Sequence, residues 1–168
     1  MRSRFDERDV SNWVESPDWT YRYCISFRLT HPSLPQAEMT KRMGIEPSGG
    51  WNRGERRVSR GGDMLPGRHR NSYWWLAIDP HAEQELTEAL EWCARVYGTR
   101  VEAWPEFFES GGEANLFVSV SVVQHAPLVL APELMEELAR CRVELQLDVY
   151  ATDEEGLVAP ASPLDRPL

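Results

Sequence analysis

Four histidines and three cysteines are the residues of this 168-residue chain best suited to acid–base, nucleophilic or metal chemistry. His31, His69, His81 and His125 fall in expected loops or at the ends of expected elements. None has a Cys, Ser or carboxylate spaced as a nucleophile–base pair, and neither His-x-x-x-His nor His-Glu-x-x-His occurs. Cys24, Cys93 and Cys141 are odd in number, far apart and without a C-x-x-C pair, which argues against both a disulfide framework and a zinc site. Cys93 sits on an apolar helical stripe and reads as a buried, inert thiol. The expectation is a protein with no catalytic residue, no metal and no cofactor. A catalytic site assembled from distant residues is the third alternative, because triads are built by the fold rather than by linear spacing.

The glycine-rich run "GIEPSGGWNRGE" lacks the Lys and Ser/Thr of a phosphate-binding P-loop. Its backbone N–H groups could still cradle an anion. The surrounding segment, residues 48–72, reads as a basic Gly/Arg loop. It holds Arg53, Arg56, Arg57, Arg60, Arg68 and Arg70 against Glu55 and Asp63, a net of +4. The whole chain is at -9, so the rest, with 12 basic and 25 acidic residues, carries -13. A body of that charge repels duplex nucleic acid, while the local patch suits a small anion or a single strand, with Trp51 available to stack on a base. The competing reading folds these arginines back onto the carboxylates of the acidic body. Asp148 and Tyr150 form a second candidate surface on the open face of the sheet, against the plainer reading that Asp148 pairs with an arginine of the first strand.

The elements that must position these residues follow from hydrophobic period. "YRYCISFRL" alternates as a half-buried strand over 21–29. "HPSLPQAEMTKRMG" is predicted helical, with Ser33 as cap and Gly44 as terminator. "YWWLAID" (73–79) is a second strand. The next helix opens at Asp79–Pro80, carries Leu86, Leu90, Cys93 and Tyr97 inward, and ends at Gly98, with Glu83, Glu85, Glu88 and Glu91 solvated. A short strand is expected at 100–104, a confident one in "NLFVSVSVV", and a helix from Pro132 with Leu134, Met135, Leu138 and Cys141 inward. "VELQLDVY" closes the fold, with Val143, Leu145, Leu147 and Val149 buried by alternation.

Two strand–helix–strand halves, 21–79 and 116–150, predict an α+β fold: a four-stranded, mainly antiparallel sheet with helices on one face. Its expected form is a split βαβ (ferredoxin-like) pseudo-repeat with an extra helix between the halves. First and last strands would then be antiparallel neighbours, with Arg22 and Arg28 beside Glu144 and Asp148 on a polar outer face. Residues 1–19 are expected to be an N-terminal arm clamped by Trp13 and Trp19. Residues 20–150 form a single domain, and 151–168 a flexible Pro-rich tail. No apolar run approaches the roughly 20 residues of a membrane span, and "MRSRFDERDV" lacks the apolar stretch of a leader, so a cytoplasmic protein with no membrane contact is expected.

These pieces line up with a family. A strand ending in S-F-R-L leads to a helix closing in "MGIEPSGG", then to "RGE" and a Trp-bearing strand. An acidic helix follows, and then "LAPELMEELARCRVELQLDVY". The order resembles a bacterial domain-of-unknown-function family, DUF 4279, over roughly residues 21–150. Gly44 and Pro47 match its Gly-x-x-Pro turn, Gly54 and Glu55 its Gly-acid pair, Trp74 or Trp75 its strand tryptophan, and Asp148 and Tyr150 its closing Asp-x-Tyr. The arginine density between Glu55 and Tyr73 departs from the pattern. The resemblance implies no activity; it implies a small cytoplasmic protein, in some members an immunity partner of a toxin.

The leading expectation is therefore a non-enzymatic interaction protein, of the immunity type, that binds a basic toxin domain. The carboxylates of the 80–97 helix, of 106–113 and of 133–137 would steer that partner in. The alternative is small-ligand or single-stranded nucleic-acid binding through the arginine loop. The open sheet face also offers a homodimer interface.

Overall fold

Eleven residues of alternating character, Tyr21–His31, make the strand around which everything else is arranged. In the computed structural model the described residues are 14–15, 21–59, 61–79, 85–122 and 127–151. The two-residue β1 (Val14–Glu15) pairs with this long strand, β2. Then come α1 (Gln36–Met43), β3 (Gly49–Trp51), β4 (Arg56–Val58), β5 (Met64–Arg68) and β6 (Ser72–Ile78). A helical run follows: α2 (Leu86–Cys93), a π-helical stretch at Ala94–Gly98, and α3 (Thr99–Glu102). The chain continues with α4 (Pro105–Glu109), β7 (Glu113–Val122), α5 (Pro132–Arg140) and β8 (Val143–Ala151).

The main sheet runs β3-β6-β2-β7-β8, with β1 also on β2 and a separate two-stranded ribbon, β4–β5. Tyr23, Ile25, Phe27 and Leu29 of β2 are fully or almost fully buried beneath the helices, as the period-2 pattern requires. Trp74 of β6 lies beside them, completely buried, with its indole N–H donated to Thr40 Oγ1 of α1 at 3.1 Å. Leu86, Leu90 and Cys93 of α2 and Leu134 and Leu138 of α5 close the same core. Each such side chain contributes about 1.5–3 kcal/mol by leaving water.

The α+β class and the one-sided helical layer are as expected; the topology is not. The main path has five strands, and the last strand is not next to the first. β2 already has β6 and β7 on its two edges, both antiparallel. β8 instead lies parallel to β7, from Ala114↔Val143 to Val122↔Ala151. A strand–helix–strand unit with a connection of this length makes a parallel crossover, whereas the first half returns antiparallel, so the two halves are not repeats of one plan. The fifth strand was hidden in Gly49-Gly50-Trp51, because glycine is a poor strand former. Gly50 is required by close approach: a Cβ there would sit 2.2 Å from the Tyr73 carbonyl oxygen.

The expected strand at 100–104 is helical as far as Glu102, and Gly98 does not end the preceding helix. Its φ of -60° is ordinary helix, and its missing side chain makes room for Cys141, whose Sγ would lie 3.0 Å from a Cβ. Chain continuity through the π turn carries Arg100 to α1, where it donates to the Met43 carbonyl at 2.5 Å. Ser33 does not cap α1 either. The Gln36 N–H is taken by Asn52 Oδ1 at 2.8 Å, and Gly44 terminates the helix at φ 66°, as expected. Met135 is exposed rather than inward, and on β8 burial fades from Val143 to Leu147 (38% exposed) and Val149 (61%). Of the expected arm only Val14–Glu15 is described, paired with β2; Trp13 and Trp19, the Pro80 helix start and the tail from 152 lie outside the described residues.

Candidate interaction surfaces

Residues 48–72 form two ordered pieces rather than one loop. Ser48 and the β3 strand clip onto β6: the Ser48 N–H donates to the Trp75 carbonyl (2.9 Å), and Ser48 Oγ accepts from the Ala77 N–H (2.8 Å). Beyond Trp51 the chain turns at Gly54, which adopts φ 83°, and Asn52 Nδ2 donates to Glu55 Oε1 at 2.7 Å. That bond holds the Glu55 carboxyl below its usual range. The β4–β5 ribbon then projects with all of its residues exposed, Val58 and Met64 included. Its root is fixed by Gly54 N–H to the His69 carbonyl (2.8 Å) and His69 N–H to the Glu55 carbonyl (3.0 Å).

Trp51 is half of that root. His69 stacks on it at 4.2 Å and 18°, and Tyr73 at 4.4 Å and 30°. Two rings lying nearly flat at those distances cannot share one face of an indole, so Trp51 is sandwiched. A base stacking on Trp51 would have to displace one of them. Arg53 donates to the Pro32 carbonyl (2.8 Å) and Arg68 to the Gly54 carbonyl (2.5 Å). The loop arginines that fold back therefore cap backbone carbonyls, not the acidic body's carboxylates. Arg56 and Arg57 point to solvent on the ribbon, and Arg60 lies outside the described residues.

On the sheet face opposite the helices, Tyr150 donates its hydroxyl to Asp148 Oδ2 at 2.5 Å. Burial and then the Asp148 carboxylate raise the Tyr150 phenol above its ordinary range. The expected Asp148–arginine pair across neighbouring strands is absent, since β7 separates β2 from β8. Arg28 instead donates Nε to Ser26 Oγ (2.9 Å) and lies 3.4 Å above the Phe117 ring. Burial lowers its pKa from the ordinary arginine value, against the smaller pull of Tyr73, Cys24 and Asp148. Sequence pattern marked Arg28 as one of several surface arginines; only the pairing of β2 with β7 reveals its aromatic seat. The face is also less polar in exposure than expected, because Ser26, Ser119 and Ser121 are buried.

His31 is a structural pin. Its Nδ1 accepts the Ser33 and Leu34 N–H groups at 3.1 and 2.8 Å, which places the proton on Nε2, 3.0 Å from Ser110 Oγ. Burial lowers its pKa, so the ring is held neutral. Cys93 is fully buried and its thiol is pushed up to about 12, in line with an inert thiol. No group of His, Cys, Asp and Glu among the described residues is arranged to hold a metal ion.

The helical layer carries the opposite charge to the ribbon. Between α2 and α5 runs an open groove of about 350 Å³ lined by Glu91, Arg95, Glu133, Leu134 and Glu137. At one end Arg140 pairs with Glu137 (2.6 Å) and with Glu102, which lowers the Glu137 carboxyl. Trp92 and Met135 are exposed on the same two helices. The 80–97 acidic stripe therefore faces solvent as expected over the part described, and it is joined to the 133–137 carboxylates by the packing of α2 against α5.

The model of a domain of unknown function, DUF4279, matches residues 20–152. The chain belongs to the DUF4279 family. No curated protein and no solved structure matches it. The match begins at the foot of β2 and ends just past β8, so the DUF4279 domain is the sheet with its helices. The residues that suggested the family have structural work in it. Gly44 ends α1, Gly54 and Glu55 turn the chain at the ribbon root, Trp74 fills the core, and Asp148 and Tyr150 hold each other. No helix of the DUF4279 domain, among the described residues, is long and apolar enough to cross a membrane.

Proposed function

We propose that this DUF4279 domain is a non-enzymatic protein-interaction module that binds a basic partner on the outer faces of α2 and α5. The observation that carries the reading is the groove walled by Glu91, Glu133 and Glu137 with a single cation, Arg95, among its lining charges. Trp92 and Met135, exposed on the same two helices, are of the residue types that anchor protein interfaces. A chain at -9 attracts a basic protein over long range, and a groove walled by three carboxylates suits lysine or arginine side chains at contact. An immunity-type protein of the bacterial cytoplasm that neutralises a basic toxin domain is the biological form this reading takes.

The test is affinity capture from the native cell extract with three baits: wild type, the Glu91→Lys/Glu133→Lys pair, and a Glu106→Lys/Glu109→Lys pair. The last carries the same change of net charge at α4. A basic protein retained by wild type and by the α4 pair, and lost by the groove pair, supports the reading. Equal retention by all three baits removes it.

One observation favours a second reading, in which the ribbon binds an anionic strand or ligand: Arg56 and Arg57 are held out to solvent on an element exposed throughout. Arg56→Ala/Arg57→Ala should then abolish retention on immobilised single-stranded RNA at low salt. Unchanged retention excludes it.

A further inference from the structure

We infer that β8 is a self-association edge, along which two copies of the chain join antiparallel about a two-fold axis through Leu147. β8 has nine residues, is paired on one side only, and has no strand on its outer side among the described residues. Sheet edges are normally blunted by proline, lysine, bulges or shortness. β8 has no proline or lysine, its two charges, Glu144 and Asp148, both lie on the face away from the apolar row, and its register with β7 is unbroken over all nine pairs. Its helix-side row, Val143, Leu145, Leu147 and Val149, is covered by helices only at the start, and Leu147 and Val149 reach solvent. An unguarded edge with an uncovered apolar row is a surface that pairs with another strand.

Charge selects the occupant and the register. With the two-fold perpendicular to the sheet, each copy keeps its helices on the same side, so residues opposite each other must share a face. Centring on Leu147 sets Leu147 against itself and Leu145 against Val149 of the second copy. On the other face Glu144 meets Tyr150, and Gln146 meets Asp148. Gln146 spends its Oε1 on Asn115 Nδ2 at 3.1 Å, which leaves its amide N–H groups to donate to the Asp148 carboxylate of the second copy. Sliding by two residues either way places Glu144 opposite Asp148, or Asp148 opposite itself, and like charges directly opposite destabilise a sheet. The self-complementary register is thus the one that faces no carboxylate with another.

Because each copy carries -9, the two copies repel at long range, and association should strengthen as salt is raised. Sedimentation equilibrium of the full chain tests this: a monomer–dimer equilibrium shifting toward dimer with added salt is expected. A monomer at every concentration and salt overturns it. In a Cys24→Ser background, the Leu147→Cys variant should form an interchain disulfide on mild oxidation. Directly opposed Cα atoms of an antiparallel pair lie about 4.5–5.5 Å apart, inside the range of about 4.4–6.8 Å that a disulfide spans. The Val149→Cys variant should not cross-link, since its opposite number is residue 145. Cross-linking at 149 in place of 147 overturns the register. Val149→Lys, at a position already exposed, should give a monomer with an unchanged circular-dichroism spectrum; a dimer that persists overturns the edge itself.

Discussion

Replacing Trp51 with Leu should release the basic ribbon from the body of the domain. The indole is held between His69 and Tyr73 at centroid distances of 4.2 and 4.4 Å. Stacked aromatic pairs contribute about 0.5–1.5 kcal/mol each beyond area burial, so losing both costs about 1–3 kcal/mol. Leucine retains an apolar side chain in β3, and the two backbone bonds between His69 and the Gly54–Glu55 turn remain possible. The ribbon root should therefore open more often without the sheet dissolving, by about 5- to 150-fold, since 1.4 kcal/mol is a factor of ten. Trypsin under native conditions reads this directly, because cleavage of a transiently opened segment tracks its open population. Cutting after Arg56, Arg57 and Arg68 should accelerate by that factor, relative to cutting in the α2–α3 run. Equal cleavage rates in the variant and wild type, with an unchanged urea midpoint, would refute the stack as the anchor.

Three further outcomes follow from the same geometry. Gly98→Ala should destabilise by up to about 2 kcal/mol in urea unfolding: overpacking against Cys141 costs about 1–3 kcal/mol, and alanine returns about 1 kcal/mol of helix propensity. A gain in stability would show that the π turn yields freely. His31 has a folded pKa below its unfolded value of about 6.5. The unfolded chain thus binds more protons as pH falls through that value, and the stability His31 supplies is full above it and declines below it. Urea titrations at stepped pH should show this slope in wild type, at most about 1.4 kcal/mol per pH unit for one group, and a shallower one in His31→Gln; parallel slopes would contradict it. Arg56→Ala/Arg57→Ala should leave thermal stability within about 0.5 kcal/mol, as exposed side chains without acceptors do; a larger loss would mean the ribbon arginines hold the fold.

Much of the fold was legible because burial imposes a period. β2 and β7 carry one strongly apolar row each, and those rows lie under the helices, while α2 turns its own apolar stripe into the same core. Pairing was not legible. Which strand lies beside β8 depends on both edges of β2 being occupied, and both occupants, β6 and β7, are distant from β2 in sequence. Glycine hid β3, since Gly49 and Gly50 are there for close approach to Trp75 and Tyr73, not for strand propensity. Alternation also overstated burial at Leu147 and Val149, because a period says which side a residue faces and not whether anything covers it. At the candidate sites, the arginine run and the acidic helix were plain in the sequence. The partners that redefine them, His69 on Trp51 and α5 beside α2, were supplied by the fold.

A basic protein seated on the acidic helical layer, as proposed, would cover α2 and α5. Hydrogen–deuterium exchange of the chain with the partner captured by wild-type bait tests it most directly. New protection is expected in 86–95 and 132–140, with the ribbon at 56–68 unchanged. Protection confined to the ribbon, with the helices exchanging as in the free chain, would contradict it.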